Sequence, residues 1–335
     1  MSSTSCSRFL PGYYTPMRIV VLGAGGARKT ETSIVRAARS LGHECRLVNV
    51  VGWSRYAGPW SSRIASYRAE AFEPDFLLLT RHAIELGELS IRSLLRNRPA
   101  VFWYFDLEPK EKVLQLGRLV GKMYITYLGQ VDTYRAAGID QVQFLPQAMD
   151  PGRDLPAAGA PHQYHCDVSF VGSGDSSYRY DLLRAVSAVS RLQIRGPGWQ
   201  SAPSDLPVAG GPVYGKRLAQ VIRGAAISLG ASSYPGQDTE RFSASNRMWS
   251  ILGCGGFYLG RYVQGIESFA ADGKHCAWYR SPAEAAELVR HYLNHPAERD
   301  RIAQAGRDHA LAHHTYAHRL QLLLAGKAYP LPTIL

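Results

Sequence analysis

The residues best placed to do chemistry in this chain cluster around glycine turns. Arg247 stands just ahead of Gly253-Cys254-Gly255-Gly256, and Glu267 follows the next apolar run, Phe257-Tyr258-Leu259. An arginine there can neutralise a departing diphosphate, and a carboxylate opening a loop can accept from sugar hydroxyls. Each could equally form a surface ion pair. Gly265-Ile266-Glu267 is expected to open a helix, where free backbone amides favour an anionic ligand.

Two further turns share this character. Gly172-Ser173-Gly174-Asp175-Ser176-Ser177 presents hydroxyls and amides at an expected helix start with Arg179 within reach, an arrangement suited to a diphosphate or simply to an N-cap. Gly23-Ala24-Gly25-Gly26 follows a strand and precedes a helix. Arg28 occupies the third glycine position of a dinucleotide fingerprint and the glycine before Lys29 in a Walker loop, so neither NAD nor ATP is supported. Gly25 and Gly26 are nonetheless expected to face a ligand, because glycine turns at strand ends line the cleft of open α/β sheets.

Candidate acceptor chemistry lies elsewhere in the first half. Tyr56, Trp60, Arg63 and Tyr67 fall at helical spacing, with Trp53, Arg55 and Arg68 beside them. The stripe is either the buried face of one helix or, if exposed, a platform for stacking a sugar or base. His82 and Asp106 follow expected strands and could orient or deprotonate an acceptor hydroxyl. His309, His313, His314 and His318 make two i,i+4 pairs, but no glutamate accompanies them, so a metal site is not expected.

The elements that must carry these residues alternate. Expected strands at 18–22, 45–50, 76–79, 100–104, 123–127 and 142–145 are separated by helices, the pattern of a parallel sheet covered on both faces. A segment rich in Pro, Gly and Ala, 146–161, is expected to be a linker. The pattern then restarts with strands at 168–171, 192–195, 225–229 and 275–278, ending in three helices. The expectation is an α/β protein of two Rossmann-like, doubly wound domains facing across a cleft at the carboxyl ends of their strands. The boundaries are 1–150, 151–312 and a terminal helical segment, 313–335.

With 335 residues, two domains are the default. No apolar run is long enough to span a bilayer, and the first sixteen residues lack a signal-peptide core, so a cytoplasmic location is expected. Five scattered cysteines fit neither a disulfide framework nor a zinc site. The net charge of +11 calls for an anionic partner, yet it is spread evenly: 19 basic against 13 acidic residues in 1–150, and 19 against 14 in 151–335. Arginine outnumbers lysine 31 to 7, which suits phosphate recognition or reflects a GC-rich genome.

Taken together, Gln130 to Pro151, Asp167 to Trp199 and Asn246 to Leu323 resemble the two-Rossmann-domain (GT-B) glycosyltransferases, most closely the CgeB-like, spore-maturation group related to the retaining group-1 enzymes. The resemblance implies that the second domain holds a nucleotide-sugar donor such as UDP-glucose, that the first holds the acceptor, and that the last helix crosses back to the first domain. It places Gly172, Ser173, Gly174, Arg179 and Arg247 near the donor diphosphate, and Gly265, Ile266 and Glu267 near the donor sugar. Ser250 stands where relatives carry a glutamate that grips the ribose. The acceptor residues are then Gly25, Gly26, Tyr56, Trp60 and Arg63.

The expected activity is hexosyl transfer from a nucleotide-diphosphate sugar to an acceptor hydroxyl. Retention, no metal and no further cofactor are expected, with the nucleotide-sugar as co-substrate. Retention needs no strong base, whereas inversion would require His82, Asp106 or another carboxylate. The acceptor is a glycan, a small metabolite or, given the basic charge and the aromatic cluster, hydroxymethylated bases in DNA. The rival is a non-catalytic nucleotide- or nucleic-acid-binding protein on the same fold, with Ser250 the sign of a decayed donor site.

Overall fold

The structure is a computed structural model, which describes residues 15–56, 58–96, 98–107, 110–174, 176–231 and 242–331. The first lobe runs β1 (Arg18–Gly23), α1 (Thr30–Ser40), β2 (Glu44–Asn49), α2 (Val50–Tyr56), α3 (Ser61–Glu70), β3 (Phe76–Leu79), α4 (Glu88–Leu95), β4 (Ala100–Tyr104), α5 (Glu111–Val120), β5 (Lys122–Ile125), α6 (Val131–Ala136) and β6 (Gln141–Phe144). The second runs β7 (Cys166–Val171), α7 (Tyr180–Ser187), β8 (Leu192–Arg195), β9 (Val208–Gly210), α8 (Lys216–Gly224), β10 (Ala225–Leu229), α9 (Asn246–Gly253), β11 (Tyr258–Arg261) and β12 (Ala277–Tyr279). Helices α10 (Pro282–Asn294), α11 (Pro296–His313) and α12 (Tyr316–Leu324) close the chain.

Each lobe holds a six-stranded, wholly parallel sheet, ordered β2-β1-β3-β4-β5-β6 and β12-β11-β10-β7-β8-β9. Near-continuous apolar strands such as Phe76–Leu79, buried at every position, are what a sheet covered on both faces demands. Strand order reverses between β1 and β3 in the first lobe and between β7 and β10 in the second, and ligands of open α/β sheets bind beyond the strand ends at such switch points.

Most expected elements are present, and four differences bear on the scaffold. The short, exposed β9 gave no apolar signal. The helix expected to run from Ile84 is divided at Gly87, whose φ of +74° ends a 3-10 turn before α4 begins. The aromatic stripe does not lie on one helix: Gly58–Trp60 form a 3-10 turn between α2 and α3. The segment expected to be a loose linker is built into the core, with Met149 and Ala148 fully buried and Asp150 and Asp154 nearly so.

That segment and the terminal helix hold the lobes together. Met149 N donates to His314 O (2.8 Å) and Tyr316 N to Met149 O (3.0 Å). Thr315 then caps α12, its hydroxyl accepting from His318 N, and the apolar face of α12 (Tyr316, Ala317, Leu320, Leu323) packs on Ile34, Val35 and Ala38 of α1. Buried Arg319 ties this junction by donating to Pro146 O (3.1 Å) and lying over the Tyr329 ring at 4.7 Å.

Candidate functional site

The site begins at the second lobe's switch point. Strand β7 ends at Val171 and β10 at Leu229, and the Arg247 guanidinium spans the gap, with Nε donating to Val171 O (2.7 Å) and Nη1 to Ala231 O (2.9 Å). It lies over the Phe170 ring at 4.8 Å, and desolvation lowers its pKa from the ordinary arginine value. Gly172 is what makes room: a Cβ there would fall 2.5 Å from Arg247 Nη2. Arg247 lies in the first turn of α9, behind Ser245, whose hydroxyl accepts from Met248 N (3.3 Å). Free amides of that turn add to the positive end of the helix.

Two cavities meet at this point, both lined by Asn246 and Arg247. The first, about 460 Å³, has an apolar wall of Val213, Leu218, Ile222 and Leu229, the turns at Gly172-Ser173 and Gly196-Pro197, and the polar pair Asp154 and Ser250. Ala27 and Arg28 of the first lobe's glycine loop reach across to line it, and Arg28 lies 4.0 Å over the Tyr214 ring of the second lobe. The second cavity, about 210 Å³, is polar and sits between Thr126, Tyr127 and Gln147 of the first lobe and Arg179, Ser243, Arg261 and Ile266 of the second. Gln147 Oε1, buried there, has no hydrogen-bond partner.

Of the expected donor residues, Gly172, Ser173, Ser250 and Arg247 line the first cavity, and Arg179, Ile266 and Arg247 the second. Arg179 is buried and donates to Ser173 O and to Ser173 Oγ. Gly174 packs on the β8 turn instead, donating to Pro197 O (2.9 Å). Asp175 lies outside the described residues. Gly265 is left-handed (φ +82°) with the Phe242 ring where its Cβ would be, and Glu267 is exposed and outside both cavities. The helix expected at Gly265 is a three-residue 3-10 turn, Ile266–Ser268, so the helix terminus at the site belongs to α9 instead.

The first lobe's glycine loop is self-filled. Glu31, in the first turn of α1 and buried, accepts from Ala24 N (3.2 Å) and Thr80 Oγ1 (2.8 Å), so its carboxylate occupies the switch point where an external anion would sit. Gly25 N donates to Asn49 Oδ1 (2.8 Å), which also accepts from Gly52 N (3.0 Å) and so fixes the start of α2 against the loop. Gly26 is exposed, and neither glycine lines either of these two cavities.

His82 is half-buried, its pKa lowered chiefly by burial, and Asp106 is ion-paired with Arg81. Neither lines the two cavities. Trp60 is 61% exposed and Tyr67 72%, so this stripe is not a buried face; Arg63 lies 5.0 Å over Trp60 and Arg68 4.6 Å over Trp53. The Tyr56 side chain lies outside the described residues. Three of the four histidines are spent on structure, His309 on Phe269 O and His314, His314 on Arg319, and His318 on the Thr315 cap, while His313 is exposed. Asp154, Tyr214, Arg28 and Gln147 are the site residues that sequence reasoning missed. All four lie in loops, where no periodicity marks them.

Residues 179–325 match a family model described as "Glycosyl transferase-like". HepE of Anabaena, solved with UDP-glucose, superposes over 92% of this chain and 98% of its own at 13% identity with a TM-score of 0.64. The whole chain takes the GT-B fold, and its second lobe is similar to glycosyltransferases. Sucrose-phosphate synthase from Thermosynechococcus elongatus shares this fold over 92% and 98% of the two chains (12% identity, TM-score 0.62). An alpha-glucosyltransferase in complex with UDP-glucose and DNA does so over 93% and 99% (11%, 0.68). No curated protein matches the sequence. No helix among the described residues is long and apolar enough to cross a membrane.

Proposed function

We propose that this protein moves a hexosyl unit from a UDP-sugar onto an acceptor hydroxyl, with retention of the anomeric configuration, in the manner of the retaining group-1, CgeB-like enzymes. The observation that carries this reading is Arg247, which stands where the two cavities join. The larger, apolar-walled cavity suits a nucleoside, the smaller polar one a sugar, and the guanidinium between them the diphosphate. Neighbours of this fold solved with UDP-glucose support the choice of donor.

In the reaction the anomeric carbon loses its bond to the diphosphate oxygen and gains one to the acceptor oxygen, whose proton passes to the departing diphosphate. Arg247, Arg179 and the amino terminus of α9 stabilise the departing charge. One charge-assisted hydrogen bond is worth about 1.5–3 kcal/mol. Much of the remaining barrier falls to positioning between the lobes. Gln147 Oε1 offers an open acceptor to a sugar hydroxyl. His82 and Asp106 lie outside both cavities, which favours retention over a base-driven inversion. The guanidinium groups supply the positive charge that a metal would otherwise bring.

The acceptor sits on the first lobe, where α2 and α3 leave β2 at the cleft side and expose Trp60, Tyr67, Arg63 and Arg68. A glycan or small metabolite is one reading. Interleaved arginine and exposed aromatics, with neighbours of the fold solved on DNA, support a second: hydroxymethylated bases in DNA. Incubation with UDP-, GDP- and TDP-sugars, followed by NMR of the product anomer, tests donor and stereochemistry. No turnover with any donor favours the non-catalytic rival.

A further inference from the structure

The second cavity carries more positive charge than a neutral sugar calls for. Arg179, Arg247 and Arg261 all line it, and among the described residues no aspartate or glutamate does. A neutral hexose is recognised through its hydroxyls, for which carboxylates are the strong acceptors. Glu267, the carboxylate expected to serve there, is exposed and outside both cavities. Two of the three guanidinium groups belong with the diphosphate. Arg247 is tied to Val171 O and Ala231 O, and Arg179 to Ser173, so both stand close to the end of β7.

Arg261, the last residue of β11, stands elsewhere. Leu229 pairs with Phe170 of β7 on one side and with Leu259 of β11 on the other. Two residues later, Gly172, Ala231 and Arg261 therefore stand at the ends of three adjacent strands, each about 4.8 Å from the next. Arg261 is thus displaced along the sheet, away from the diphosphate and towards β12. Its backbone is fixed there by pairing with Tyr279 and by Tyr262 N donating to Tyr279 O (2.8 Å). A strand end places a side chain more precisely than a loop does. We propose that the transferred sugar is a hexuronic acid and that Arg261 reads its C6 carboxylate. The inference rests on the nucleotide-sugar reading above and narrows its hexosyl unit to a hexuronosyl one. A guanidinium fork matches a carboxylate in shape and charge, whereas the hydroxymethyl group of a hexose offers one neutral acceptor in its place.

Calorimetric titration of the full chain with UDP, UDP-glucose, UDP-galactose, UDP-glucuronate and UDP-galacturonate tests this. The unaltered protein should bind at least one uronate about tenfold or more tightly than the hexose of the same configuration, the worth of a hydrogen bond between charged groups. Arg261→Gln should bring that pair within about threefold of each other, while Arg261→Lys, a point charge without the fork, should keep part of the preference. A purely structural role for Arg261 would move the affinities for UDP, hexose and uronate together and leave the ratio unchanged. Binding of both uronates no tighter than their hexoses by the unaltered protein, or undiminished preference in Arg261→Gln, overturns the proposal and leaves the nucleotide-sugar reading standing. Failure of UDP and of every UDP-sugar to bind overturns that reading and this inference with it.

Discussion

A β-carbon on Gly172 would lie 2.5 Å from Arg247 Nη2 and 2.7 Å from Phe170 Cζ. The glycine at the end of β7 is therefore the space through which the guanidinium crosses from one strand end to the other. Gly172→Ala should push the guanidinium off Val171 O and Ala231 O and lower kcat/KM. Arg247→Ala should lower it about 10- to 100-fold, the loss of one charge-assisted hydrogen bond to the leaving group. Arg247→Lys should recover only part of it, since an ammonium cannot hold both carbonyls and present a second face to phosphate. Steady-state kinetics with UDP-glucose provides the check.

Glu31 closes the corresponding position in the first lobe. Removing its carboxylate leaves Ala24 N and Thr80 Oγ1 without their shared acceptor, so Glu31→Ala should cost about 1–3 kcal/mol of stability. Glu31→Gln, which keeps an acceptor oxygen, should cost less. Thermal unfolding of the two variants measures the difference, and an unchanged melting temperature in Glu31→Ala would contradict the role given to the carboxylate.

How much of this was legible follows from where the signals lie. Apolar strands such as Phe76–Leu79 and helices opening at Ser281-Pro282 announced themselves because periodicity and capping are local. Glu31 was invisible as a plug because its role depends on Thr80, 49 residues away. Asp154 sat in a segment read as linker on composition, yet it accepts from Ser250 of the second lobe, and its neighbour Arg153 reaches Ser33 of the first. The stripe from Tyr56 to Tyr67 was counted through Gly58-Pro59, a pair that marks a turn and does break the helix there. Arg247 and Gly172 were singled out because an arginine near glycine turns is unusual enough to stand out. Their contact was not legible.

The exposed faces on α3 and the turn before it carry the acceptor prediction. Trp60→Ala together with Arg63→Ala should raise the acceptor KM several-fold while UDP binding stays unchanged, because neither residue touches the donor cavities. If the acceptor is DNA, binding should also fall steeply with salt, as phosphate contacts release counterions. A salt-insensitive acceptor KM that still responds to Trp60→Ala would assign the platform to a neutral glycan. A variant indistinguishable from the unaltered protein with every acceptor would remove the platform from the site.

Stability should depend on pH through two buried histidines, His314 at the lobe junction and His275 stacked on His309. Burial, reinforced by Arg319, pushes the His314 pKa down to about 2, and burial with neighbouring His309 pushes His275 down to about 4, against an ordinary value of 6.5. Both are neutral in the folded protein between pH 6.5 and 4, whereas the unfolded chain takes up protons over that window. The unfolded state then binds more protons, so stability is greatest above about pH 6.5 and declines as pH falls, by at most about 1.4 kcal/mol per pH unit for each histidine. Asp150, whose pKa is lowered despite burial by its hydrogen bonds with Arg36, gives up its contribution only below the ordinary carboxylate range, so it does not account for a loss above pH 5. Urea unfolding at pH 7.5, 6 and 5 should show a falling midpoint, and His314→Gln should flatten the slope. A midpoint constant across that range would mean that these two buried imidazoles remain as easily protonated as those of the unfolded chain.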